Sequence, residues 1–383
     1  MSFISLDDFT NKVSTLGKFL RIDWNKNFLP TTAAVAGEWF FLARGAGNPG
    51  ADSIYNAGTN LTFQPVSDTT ANAGNIQHGG NVSPDYKHLI NMSFGSAAVT
   101  TAPAFAMLVD LVGFYRVTTT TTITAQSLIN NLSAFSNFTV ATNDIITHTN
   151  INMMPYTRIQ VSSTVTLPTG LSAATNYYVI KLTDTTFKLA SSYANAVAGT
   201  AISITSGTGS GTHTINTLLP RYTNGAGLQA FMWANNATPL GAATPNLSIT
   251  YTNSAQTASR ATPATLPIGK TAAANGLVLY SGTGSGKYGP FLPLQAGDSG
   301  IAQIDTTTIS ASYVSGEFSI GLCRPLATIP FTTVGVIAER DLFNQLPSIP
   351  RIYDGANLQW MIYNGAATPV NSSFVGHLDV AWG

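Results

Sequence analysis

Charge is nearly missing from this chain. Of its 383 residues only 9% are Asp, Glu, Lys or Arg, where a soluble domain usually carries about a quarter. Apolar residues reach 44%, and 34 Gly and 19 Pro punctuate long runs of Thr, Ser, Ala and Asn. A surface so poor in ions must be covered by hydroxyls and amides or by other protein chains. The composition therefore favours a packed part of an assembly over a free enzyme.

The few charges balance. Lys+Arg and Asp+Glu both number 17, for a net charge of +0. Duplex binding needs clustered cations, and the nearest group here, Lys18, Arg21 and Lys26, is interrupted by Asp23. No nucleic-acid partner is expected. Near-zero net charge removes the repulsion that keeps copies apart, so self-association is expected, with a trimer as one arrangement. Cys323 is the only cysteine. That excludes an intrachain disulfide and any cysteine-built metal site, and the residue reads as a small buried apolar one. No run reaches the roughly 18–20 apolar residues of a membrane-crossing helix. The first eight residues carry acids where a signal peptide carries cations, so neither a membrane partner nor a secretory leader is expected.

Periodicity predicts one helix, over residues 5–20. Ser5 is a good N-cap and Asp8 stands three positions on. Leu6, Phe9, Val13, Leu16, Phe19 and Leu20 fall at three-to-four spacing on one face. At the start of the chain, this apolar face reads as an assembly arm docking on a neighbouring subunit, or as a helix packed on its own domain. After Trp24 the pattern changes to short strands and turns. Ala106–Tyr115 reads as a buried strand whose Asp110 needs a partner. Thr118–Thr122 suits an exposed strand, Ala125–Ala134 a second helix, and Arg340–Leu346 a single helical turn.

One pattern occurs twice. Asn224-Gly-Ala-Gly-Leu-Gln-Ala-Phe-Met-Trp233 echoes Asp354-Gly-Ala-Asn-Leu-Gln-Trp-Met-Ile-Tyr363. Each is followed by Gly-Ala-Ala-Thr-Pro and then by an alternating strand, Asn246–Thr252 and His377–Trp382. Two equivalent hairpins suit a jelly-roll-like β-sandwich.

Residues 137–215 differ in character, with strands expected at 144–147, 158–161, 176–181, 186–189, 200–204 and 212–215. Here Thr166-Leu-Pro-Thr-Gly-Leu-Ser172, Asn176-Tyr-Tyr-Val-Ile180, Thr186-Phe-Lys-Leu-Ala190, Asn195-Ala196, Gly199-Thr-Ala201 and Gly209-Ser-Gly-Thr-His-Thr214 follow in order. This series resembles a small β module of tailed-bacteriophage virion proteins. The Gly usual before its apolar strand is replaced by Tyr156-Thr157. More loosely, Leu6-Asp-Asp8, Asp23-Trp24, His78-Gly-Gly-Asn-Val82, Leu219–Gly225 and Pro293–Gly300 resemble other virion proteins of such phages. The resemblance implies an all-β chain: a helical arm (1–30), a β-sandwich built from 31–136 and 216–383, and the inserted module (137–215). It implies a structural component of a phage particle assembled in the host cytoplasm. The expected place is the head exterior, as a capsid decoration or cement protein. The alternative is a tail or fibre protein. Expected partners are copies of itself, the major capsid protein or other virion proteins, and a host surface.

No catalytic, cofactor or metal residue is expected. His78, His88, His148, His213 and His377 never take a two-ligand spacing. Gly297-Asp-Ser-Gly300 resembles a serine-protease string but lacks a supported base, and reads as a turn. Gly282–Lys287 lacks the helix a phosphate loop needs. Trp233, Tyr251, Trp360 and Tyr363 sit at alternating strand positions and read as core rather than as sugar platforms.

Overall fold

Two long antiparallel strands, Ala104–Val117 and Phe318–Phe331, pair at the centre of a six-stranded sheet. The computed structural model describes residues 3–27, 36–55, 60–70, 73–96, 104–117, 126–127, 139–140, 144–147, 155–183, 185–204, 209–235, 238–243, 245–262, 266–268, 276–278, 289–345, 349–365 and 372–383. The Thr118–Thr122 run, Gly282–Lys287, His148 and most of Ala125–Ala134 lie outside them, although Gln126–Ser127 is strand rather than helix. The central strand is apolar on both faces because both are covered. Ala106, Leu108, Val112 and Tyr115 join the main core, while Val109, Leu111 and Phe114 join a second cluster with Phe41, Tyr55 and Trp233. A bulge opposite Leu322 and Cys323 shifts the alternation midway.

Two further sheets cover the main-core face. One carries Lys87–Ser96, Ser373–Trp382 and Phe19–Asn27 side by side. The other is built on Asn246–Asn253 and Ile301–Ile309. Trp24, Met92, Phe94 and Leu378 from the first, with Ile249, Tyr251 and Ile304 from the second, complete one core. The fold is all-β, antiparallel and sandwich-like.

The echo in the sequence marks equivalent strands. Gln229–Ala234 pairs with Phe318–Phe331, and Leu358–Asn364 pairs with Ala104–Val117, so the two copies flank the central pair symmetrically. Each copy then crosses to a covering sheet. Asn246–Asn253 pairs there with Ile301–Ile309, which leads back to Phe318–Phe331. Ser373–Trp382 pairs with Lys87–Ser96, which leads back to Ala104–Val117. The molecule is thus two four-stranded units joined through the central pair, the second unit being assembled from both ends of the chain.

Between the units' strands, residues 139–217 form a six-stranded sheet of their own, with a separate core of Ile159, Val161, Val179, Phe187, Leu189 and Ile215. Residues 200–204 are not a strand, although Ile202 N–H still donates to the Leu189 carbonyl at 2.8 Å. A short helix, Tyr193–Val197, capped by Ser192, precedes them. Tyr156 holds φ at +65°, the left-handed conformation that a glycine would adopt freely.

The N-terminal helix is shorter than its apolar periodicity suggests. Leu6–Thr10 is α-helical and Asn11–Thr15 continues as a π-turn. Ser5 accepts from Asp8 N–H at 3.0 Å, as a cap does. Gly17, at φ +63°, ends the helix. Phe19 and Leu20 then start the strand Phe19–Asn27, paired residue by residue with Ser373–Trp382. The winning signal is the two-residue alternation of Leu20, Ile22, Trp24 and Lys26, which turn inward, against exposed Arg21, Asp23 and Asn25.

Trp360 is buried where the sheets meet, with Trp24 and Phe94 each at 5.1 Å between ring centroids. Trp360→Ala is expected to lower the free energy of unfolding by about 3–5 kcal/mol. Val336→Ala, at a site 57% exposed, should stay within about 0.5 kcal/mol of wild type. Urea denaturation of the two variants checks this.

Candidate functional site

The structure divides the six arm residues between two environments. Phe9 lies against Phe343 (4.6 Å) and Phe3 (4.9 Å), and Val13 is half-buried. Leu20 packs on the main core from its strand. Leu6, Leu16 and Phe19 stay open, 65%, 56% and 36% exposed, with Ile4 beside them. The helix is thus seated on its own domain by Phe9, while Ile4, Leu6 and Leu16 remain exposed.

Asp110 has the partner that its burial demands. It sits mid-strand with no exposed surface, and Arg221 meets both its carboxylate oxygens. The Asn357 backbone N–H adds a third bond at 2.9 Å. Arg221 also donates to the carbonyls of Val66 and Leu111. Burial alone would lower the guanidinium pKa, but the attraction and hydrogen bonds of Asp110 outweigh it and the pKa is raised. Arg221 lies just beyond the last strand of the insert, His213–Thr217. The pair therefore ties the returning chain to the middle of the central sheet.

The other charged residues singled out from the sequence are held in structural roles. Asp298 accepts from Arg260, Tyr251 and Asn253 at 3.0, 2.6 and 2.7 Å, and the Arg260 hydrogen bond chiefly pulls its pKa down to about 2. Ser299 contacts the Ser254 hydroxyl at 2.9 Å. Ser93 Oγ meets His377 Nδ1 at 2.7 Å, yet Ser93 is fully buried and accepts the His377 backbone N–H as well. Buried Lys26 points its ammonium at the carbonyls of Ala43, Gly45 and Gly50. Trp233, Tyr251 and Trp360 are core and Cys323 is buried, but Tyr363, expected in the core, is only half-buried against Trp39 near the sheet's edge. Among the described residues no group of three His, Cys, Asp or Glu side chains is placed to hold a metal.

A cleft of about 310 Å³ runs along the seam between insert and sandwich. Tyr156, Tyr178 and Tyr193 line it from the insert, Arg351, Tyr353 and Asp354 from the sandwich. Tyr193 O–H donates to Asp68 across the seam at 2.9 Å. The cleft shares Pro220, Arg221, Arg351 and Tyr353 with a wider groove of about 750 Å³ that extends to Tyr222 and Arg324. Sequence reasoning missed this groove because its residues are far apart in the chain. Arg351 and Tyr353 are close in sequence, but the strand there is only Arg351–Ile352, so no strand alternation links them.

His78 lies under the same wall. Its Nε2 donates to the Ala356 carbonyl at 2.9 Å and its Nδ1 accepts from Lys87 Nζ at 2.9 Å, which requires a neutral ring. Burial first, then the Lys87 charge, push its pKa down to about 3. An unfolded chain takes up this proton near pH 6.5. His78 therefore contributes stability that is complete above about pH 6.5 and is lost as the pH falls toward 3.

Two measurements follow from these contacts. Denaturation midpoints of wild type and His78→Gln between pH 7 and 4 should diverge, the wild type losing up to about 1.4 kcal/mol per pH unit more than the variant. Asp110→Ala or Arg221→Ala should each cost about 3–5 kcal/mol, since each strands a buried charge. Their double variant should cost less than the sum, giving a clear coupling energy in a double-mutant cycle.

No protein-family model and no curated protein matches this chain. Among solved structures, the VP2 subviral particle of infectious bursal disease virus is similar at 7% identity and a TM-score of 0.17, covering 97% of this chain and 86% of that one. T=1 particles derived from the same virus give 8% identity and a TM-score of 0.17, with 97% and 82% covered. Scores this low do not establish a common fold.

Proposed function

We propose that this chain is a non-enzymatic structural component of a tailed-phage virion, a capsid decoration or cement protein on the head exterior that associates with copies of itself and with the major capsid protein. The observation that carries this reading is the ordered series of motifs over 166–214, which resembles a phage virion module. Two physical features support it. A 9% charged chain gains stability when neighbours cover its surface. An N-terminal segment seated by Phe9 leaves Ile4, Leu6 and Leu16 exposed, apolar side chains that an adjoining subunit would cover.

The arm is tested without damaging the sheet. The strand begins at Phe19 and carries Trp24 into the core, so a deletion must stop before Gly17. Leu6→Asp with Leu16→Asp, or removal of residues 1–16, should leave the protein folded by circular dichroism. Either change should cut its incorporation into particles by about tenfold or more, the loss of roughly 1.4 kcal/mol or more of contact energy. Undiminished incorporation would discard the arm as an assembly contact.

A tail or fibre protein that binds a host receptor is the second reading, favoured by the open groove beside the seam. Immunogold labelling of particles separates the two: label over the head supports decoration, label confined to the tail supports the receptor reading. Sugar release from host capsule by the purified chain would overturn the non-enzymatic reading.

A further inference from the structure

Arg351 is held on its faces and unused at its edges. Its guanidinium carbon stands 3.9 Å from the Tyr86 ring centre and 4.4 Å from that of Tyr353. Tyr353 meets Tyr222 edge-on at 4.9 Å, and the Arg324 guanidinium lies 5.8 Å from the Tyr222 ring. Tyr86, Arg351, Tyr353, Tyr222 and Arg324 thus form a tyrosine–arginine ladder, its last four members lining the groove of about 750 Å³. Among the described residues, Arg351 donates no hydrogen bond and pairs with no carboxylate. Arg324 donates one bond, to the Ala226 carbonyl at 2.8 Å, and likewise holds no carboxylate. By contrast Lys12, Lys18, Arg21, Arg221 and Arg260 each hold an acid.

Arg324 is also given room by a glycine. Gly227 has φ +70°, and a Cβ there would fall 1.3 Å from Arg324 Nη1. The equivalent position in the echoed segment is Asn357, which serves the Asp110 pair instead. One copy of the repeat closes a buried ion pair, and the other leaves its arginine facing a groove.

We propose that this groove binds an acidic saccharide, with a sugar carboxylate bridging the free edge of Arg351. A planar guanidinium matches a carboxylate through two parallel hydrogen bonds. Stacking between two rings fixes that fork in advance, so little freedom is lost on binding. Tyr353 and Tyr222 supply rigid amphipathic contact for sugar rings, and Thr223 and Asn224 supply hydroxyl and amide partners on the same wall. The volume lies in the range of small-ligand sites, about 300–1,000 Å³. A nucleic acid would need a cationic track rather than two arginines.

The test is titration of the full chain with a tetrasaccharide of alternating glucuronate and N-acetylglucosamine, followed by NMR and calorimetry. The expected result is saturable binding in the millimolar range or tighter, with a shift of the Arg351 Nε–H resonance. A neutral cello-tetraose and inorganic phosphate should each bind about tenfold more weakly or not at all. Arg351→Ala should abolish binding, and Arg351→Lys, which keeps the charge but loses the fork, should weaken it about tenfold. No binding of the acidic tetrasaccharide, equal binding of the neutral one, or an Arg351 resonance that stays fixed during binding would overturn the proposal. The resonance readout uses the unaltered protein, so misfolding of a variant leaves the test intact. Because binding is measured on the free chain, its outcome is independent of incorporation into particles.

Discussion

The buried pair of Asp110 and Arg221 is the interaction on which the architecture turns. A carboxylate in the middle of a sheet covered on both faces is tolerable only if its oxygens are filled. Arg221 and the Asn357 N–H fill them, one from the segment leaving the insert, the other from the second echoed segment. Three stretches far apart in sequence must therefore be in place together. Directly across the central strand pair, Arg324 stands in register with Asp110. The two charges mark the join between the repeated units.

Several of the few ions have defined tasks. Some lock the interior, as Arg221 does at Asp110. Others fix turns, as Asp298 does by collecting Arg260, Tyr251 and Asn253. Lys26 closes a knot of backbone carbonyls. What remains outside is largely hydroxyl, amide and apolar surface, so the chain has little electrostatic means of keeping copies apart. Leu6 and Leu16 add exposed apolar area near the N-terminal helix.

Much of this was legible where sequence pattern and burial agree. The apolar run Ala106–Tyr115 marks a buried strand, and the cost of interior charge marks Asp110 as a residue in need of a partner. The echoed segments were readable because equivalent strands face equivalent neighbours. The helix over 5–20 was over-extended because Phe19 and Leu20 satisfy a helical spacing and a strand alternation at once. Pairing with Ser373–Trp382, at the far end of the chain, decides for strand. Residues 200–204 look like a strand by composition, but their place in the insert is beside a short capped helix rather than in the ladder. The tyrosine–arginine ladder was invisible because it gathers residues 86, 222, 324, 351 and 353 from separate strands and loops, and no local pattern reports such a meeting.

The central claim is that this chain is a building part of a phage particle. Quantitative mass spectrometry of gradient-purified virions tests it most directly. The account predicts that the chain co-purifies with intact heads at many copies per particle. Its absence from purified particles, with the protein left in the lysate as a stable monomer, would contradict the account.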